Sequence, residues 1–216
     1  TCGSADADIE VRPASLTYSG RWDSPGRVSD FYLSAARNIP GGSRGSSDDF
    51  AAIRAGADAD YALLRAGGSH LRALGTWQFR SALHLQYASG PLIPAEQFSL
   101  AGSTATRGFE ERALSTDSGV VVNLELYTPG FAVPAGLPGT LRGVLFLDGA
   151  AGRNHDVVSS VQVSEITVAS AGAGLRGDLG RRAALLLDVA SVIVEDTARS
   201  ERRGDVKAHF AINLQF

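Results

Sequence analysis

The 216-residue sequence contains no methionine, a single cysteine and no apolar run of the length a membrane helix needs. Cys2 cannot form an internal disulfide, and the four histidines and one cysteine show no zinc-ligand spacing, so no metal or other cofactor is expected. Basic charge is not in excess: the formal net charge is −3 and the pI about 5.8, which makes nucleic acid a poor partner. No segment carries a capped i, i+3, i+4 apolar stripe, so no long helix is expected. No Ser/His/Asp set sits in a G-x-S-x-G elbow, and "AGAGLRG" at 171–177 lacks the helix that a phosphate loop requires. An enzyme is therefore not expected. A chain that begins at Thr1 without methionine is expected to be a processed product or part of something larger, so a missing signal peptide carries no information.

What is present is alternation. Residues 77–87, "WQFRSALHLQY", place Trp77, Phe79, Leu83, Leu85 and Tyr87 on one face and Gln78, Arg80, His84 and Gln86 on the other. Aromatics end the apolar face and aliphatics fill it, as in a lipid-facing strand with two interfacial girdles. Similar segments at 15–22, 31–37, 53–64, 120–127, 141–149, 169–179, 183–194 and 207–216 bring the total to nine strands. Most have the length of the about 9 to 11 residues with which a tilted strand crosses a bilayer. Twenty-five glycines suit frequent turns and close backbone approach.

Connections alternate in length as well. The shortest, at 23–27 and 177–182, share one end with 65–74 and 128–139, while the other end carries 38–49, the insertion at 90–119, 150–165 and 195–205. That parity fits short periplasmic turns and longer external loops. One face collects Arg21, Asp58, Asp60, Arg80, His84, Asn123, Glu125, Arg142, Asp148, Arg176, Asp188 and His209, with Asn213 and Gln215; the other is nearly uncharged. A soluble sandwich would alternate too, so charge alone leaves both open.

The chain ends "HFAINLQF", with Phe210, Ile212, Leu214 and Phe216 on one face, which resembles the terminal strand read by the barrel-assembly machinery of bacterial outer membranes. "EQFSLAGSTATRGFEERALSTDSGVVVNLEL" (96–126) followed by "LFLDGA" (145–150) resembles the two-partner secretion transporters of the ShlB/FhaC/HecB type, relatives of the barrel-assembly protein BamA. In that family a long loop carrying V-R-G-[FY] folds into the lumen, and a later strand carries F-x-D-x-G. Here the matching residues are Thr106-Arg107-Gly108-Phe109 and Phe146-Leu147-Asp148-Gly149-Ala150, with Thr106 in place of valine and Ala150 where glycine is expected. The resemblance implies that residues 1–216 are the C-terminal part of an antiparallel transmembrane β-barrel, about nine of sixteen strands, with a lumen-entering loop at 90–119. The upstream strands and the periplasmic POTRA domains lie outside the sequence. It further implies an outer-membrane exporter of a secreted partner polypeptide, hemolysin or adhesin-like, that touches lipid and the barrel-assembly machinery.

Elementary chemistry supports the same residues. Ordering a loop in a lumen costs roughly 1 kcal/mol or more per residue, so something must hold it. An Arg107 fork meeting the Asp148 carboxylate would supply a geometry-specific anchor, Gly108 a tight approach to the wall, and Phe109 a wedge, with Phe146 beside the acid. Glu110 and Glu111 read as solvated loop charges with a wall contact open to them, and His84 and His209 as polar lining. The alternatives are an insertase of the same superfamily and a soluble all-β binding module.

Overall fold

The computed structural model describes residues 9–133, 139–155, 163–178, 180, 183–196 and 201–214. Nine long strands form one antiparallel sheet in chain order. They are β1 (Pro13–Ser24), β2 (Arg27–Asn38), β3 (Ala62–Leu74), β4 (Trp77–Ala88), β5 (Ser118–Tyr127), β6 (Thr140–Arg153), β7 (Glu165–Asp178), β8 (Ala183–Val194) and β9 (Val206–Leu214). Among the described residues the sheet does not close on itself: β1 and β9 are its two edges. Two-residue bridges add Phe131–Ala132 beside β6 and pair Phe98–Ser99 with Ser115–Thr116. Among the described residues no helix is long and apolar enough to cross a membrane.

The third strand departs from expectation. Residues 53–61 are not strand; the short helix α1 (Ser47–Ile53) ends there and a loop follows, while β3 runs through 65–74, the segment expected to be a turn. The cause is local chemistry. Ser46 and Asp49 form a reciprocal capping box that nucleates α1, and Asp58 accepts from Ser47 Oγ and from the Asp60 amide, bending the chain. In β3 two glycines hide the alternation. A Cβ on Gly67 would stand 2.6 Å from both His84 Nδ1 and Tyr32 Cε1, so the glycine makes room for neighbouring rings. Asp58 and Asp60 consequently lie in a loop and not on the inward face. The β3–β4 turn shrinks to Gly75–Thr76, with Gly75 at φ +65°, which sharpens the contrast between short-turn and long-loop ends.

Cross-strand partners fix the faces. Arg80 is opposite Glu125, Glu125 opposite Phe146, Asn123 opposite Asp148, and Asp188 opposite His209, so the polar set shares one side. This inward face is covered by residues 89–117: Leu100, Ala101, Ala105, Phe109 and Leu114 pack on Val121, Ala150, Ile166, Val168 and Val192. The outward face stays bare, with Leu16, Tyr18, Trp22, Leu145, Phe210 and Leu214 exposed. An uncovered apolar face across nine strands is the pattern of a transmembrane barrel wall and not of one half of a soluble sandwich. Phe210, Ile212 and Leu214 share that outward register; Phe216 lies outside the described residues.

Leu83 sits mid-strand on the bare face, between Gly68 and Val122. Leu83→Arg is expected to destabilise the folded barrel by about 2–4 kcal/mol. Urea unfolding of the full-length protein in lipid vesicles checks it.

Candidate functional site

In the segment between β4 and β5, Thr106 to Phe109 form a continuous buried stretch. Asp148 receives the Arg107 guanidinium as a fork, Nη2 to Oδ1 at 2.7 Å and Nε to Oδ2 at 2.8 Å, and the Arg107 backbone amide adds 3.2 Å to the same carboxylate. The remaining nitrogen, Nη1, donates to Glu125 at 2.8 Å and to Asp188 at 3.3 Å. Below the plane, the Phe146 ring lies 3.6 Å from Arg107 Cζ, within cation–π range. β5, β6 and β8 thus each contribute one carboxylate to a single arginine. Burial alone would pull the Arg107 guanidinium down, but Asp148 first, then Glu125 and Asp188, push it higher, so it stays charged at any accessible pH.

The carboxylates have further partners. Arg176 pairs with Asp188 at 2.6 and 2.9 Å, and Arg80 reaches Glu125 at 3.2 Å. Tyr127 donates to Glu125, and Asn123 bridges Asp148 to the Ala105 carbonyl. Three guanidiniums therefore face three carboxylates, which is the condition for burying either sign. The cluster forms part of the lining of a cavity of about 380 Å³ together with His84, Ser103 and Tyr127.

Small residues make the fit. A Cβ on Gly108 would stand 2.7 Å from Ser170 Cβ and 3.1 Å from Val192 Cγ2, so only glycine brings the backbone that near the wall. In β7, Gly172 faces the Phe146 ring and Gly174 the Asp188 carboxylate. Phe109 is fully buried in the core described above. At the shifted glycine motif, Gly149 faces open space and the Ala150 methyl joins that core, so the alanine costs no packing.

The tip also touches the edge strand β9. His209 Nε2 lies 2.7 Å from the Arg107 carbonyl, and Lys207 Nζ pairs with Glu110 at 2.8 Å. Lys207 holds the Glu110 carboxyl below its usual range, while Glu111 is lowered by the Ser103 hydrogen bonds. Glu110 therefore makes the wall contact left open in the sequence, and His209 does more than line the lumen.

Sequence reasoning missed a second buried pair. Arg54, one residue past α1, forks onto Asp117 at the end of the infolded segment and donates to the Leu92 and His155 carbonyls. Asp117 also accepts from the Leu92 and His155 amides and from Gln97. The only trace in the sequence is an acid directly before β5 and an arginine in a loop, too common a combination to single out. Burial alone would raise the Asp117 carboxyl, but the Arg54 guanidinium and the amide donors outweigh it and hold it below the ordinary range. A depressed folded pKa means stability that is present above the unfolded value of about 3.9 and lost as pH falls through the folded one. Proteolytic nicking within 39–61 and 89–117 is expected to be slow at neutral pH and to rise on acidification below about 4. Asp117→Asn is expected to be nicked already at neutral pH, because breaking a buried pair costs about 3–5 kcal/mol.

Among the described residues no cluster of His, Cys, Asp or Glu has metal-holding geometry. The family model of the haemolysin secretion/activation protein ShlB/FhaC/HecB matches residues 15–177. Of solved structures, CdiB from Escherichia coli superposes with a TM-score of 0.77 at 20% identity, covering 94% of this chain and 36% of that one. CdiB from Acinetobacter baumannii gives 0.49 at 16% identity, covering 94% and 41%. The chain thus spans well under half the length of the solved structures it resembles. No curated protein matches it significantly. With three quarters of its length inside the family model and an antiparallel transmembrane β-barrel architecture, the chain belongs to the haemolysin secretion/activation protein family ShlB/FhaC/HecB.

Proposed function

We propose that this chain is the C-terminal barrel portion of a bacterial outer-membrane transporter that exports one secreted partner polypeptide, of hemolysin or adhesin type, and that the infolded segment sets the conducting state of its lumen. The family is one of transporters, and transport of this kind asks the barrel for a shaped path and not for bond-making groups. The carrying observation is the Arg107 fork on Asp148, completed by Glu125 and Asp188: the tip of a segment that covers the inward face is held there by one permanent charge. Release of that single residue would free the path, and its docking would narrow it.

The bare outward face supports residence in the outer membrane with lipid as its solvent. Phe210, Ile212 and Leu214, exposed and in one register at the edge of the sheet, are the side chains we assign to the signal read by the barrel-assembly machinery, with Phe216 as its last member. An insertase role lacks an observation that favours it over export.

Arg107→Ala in the full-length protein is expected to lower secretion of the partner polypeptide at least about tenfold at an equal level of heat-modifiable barrel. Arg107→Lys is expected to fall nearly as far, because an ammonium cannot reproduce the fork. Wild-type secretion by Arg107→Ala would remove the proposed role.

A further inference from the structure

The outward face of the sheet carries almost no charge, which makes its exceptions informative. Arg27 opens β2 directly after the Pro25–Gly26 turn, and Arg72 lies three residues before the Gly75–Thr76 turn. The two are cross-strand partners. Arg72 is also opposite Phe79, which is opposite Leu126, so both arginines belong to the lipid-side register at the short-turn end. Both are exposed, and neither has a partner among the described residues. The acids of that end, Asp23, Asp30 and Asp178, fall in the inward register.

Two like charges directly opposite one another in an antiparallel pair destabilise it unless an anion lies between them. One row deeper, Ser29 and His70 face each other, Ser29 Oγ and His70 Nδ1 2.7 Å apart, adding polar groups to an otherwise apolar surface. Trp22 on β1 and Trp77 on β4 flank these rows; Trp22 pairs with Ser29 and stacks on Phe31 at 5.1 Å, and Trp77 pairs with Leu74. Tryptophan marks the depth of the headgroups, where arginine meets phosphate. Arginine forks suit the two unesterified oxygens of a phosphodiester, and the serine and histidine reach the glycerol below it.

We propose that Arg27, Arg72, Ser29 and His70 form a binding site for the headgroup of an anionic phospholipid in the leaflet on the short-turn side. The site rests on the reading of this face as lipid-facing. A bound headgroup neutralises the arginine pair and pins the β2–β3 hairpin at a fixed depth, which sets the vertical position of the barrel. A zwitterionic lipid offers the same phosphate but carries its own cation, so the site prefers a net negative headgroup.

Native mass spectrometry of the full-length protein, released from detergent micelles holding equal phosphatidylglycerol and phosphatidylcholine, reads the preference directly. Each arginine near an anionic headgroup contributes about fivefold, so wild type is expected to retain phosphatidylglycerol by up to about thirtyfold. Arg27→Gln/Arg72→Gln is expected to lose that preference, whereas Arg202→Gln/Arg203→Gln, which removes the same charge at the other end, keeps it. Equal retention of both lipids by wild type, or an unchanged preference in Arg27→Gln/Arg72→Gln, would overturn the site while leaving the barrel reading intact. Failure of the protein to partition into detergent at all would overturn both.

Discussion

A guanidinium that cannot lose its charge has been taken out of water, and the rest of the structure is arranged around that fact. Removing such an ion from solvent costs several kcal/mol, and removing its counter-ions costs as much again, so the geometry of their meeting must be good. Here Arg107 reaches Asp148 on β6, Glu125 on β5 and Asp188 on β8 at once, and β7 contributes glycines that clear space for Phe146 and Asp188. Three strands must be in register before the site exists. A one-residue slip of any of them would turn its acid to the outward apolar face, so the docked segment is also a reader of correct sheet assembly.

The two latches divide the work of holding residues 89–117. Arg54–Asp117 fixes the segment where it rejoins the sheet at the long-loop end, among buried partners from three connections. Arg107 fixes the tip. Between them the apolar contacts of Leu100, Phe109 and Leu114 offset the conformational entropy of the ordered backbone. The arrangement is thus held at two points by ion pairs and elsewhere by non-directional packing, so the directional contacts that fix the segment are confined to its tip and its end.

Much of this was legible in the sequence, for physical reasons. Period-2 alternation over strands of transmembrane-barrel length survives reading without a structure, because each face keeps one character along the whole length. Arg107, Gly108, Phe109, Phe146 and Asp148 stood out through the motifs of the family that the sequence resembles, and the chemistry of a fork, a close approach and a wedge agreed with that resemblance. β3 was misplaced because Gly67 and Gly68 carry no side chain to show a face, and because room for His84 and Tyr32 is a tertiary demand. Glu125 and Asp188 were recognisable as inward acids, yet their convergence depends on cross-strand register, which one sequence does not print. The Arg54–Asp117 pair is 63 residues apart in the chain and sits in loops without periodicity, so only the fold brings it into view.

The sequence contains a single lysine, Lys207, and its ammonium lies 2.8 Å from Glu110 on the infolded tip and 3.6 Å from Glu201 in its own connection. Zero-length carbodiimide coupling in intact outer membranes, followed by mass spectrometry of the peptides, therefore tests docking of the segment without any substitution. Docking through Arg107 predicts a Lys207–Glu110 amide in the wild-type protein and its loss in Arg107→Ala, with the Lys207–Glu201 amide persisting as internal control. A wild-type protein that yields only the Glu201 product, or an Arg107→Ala protein that yields the Glu110 product undiminished, would contradict it.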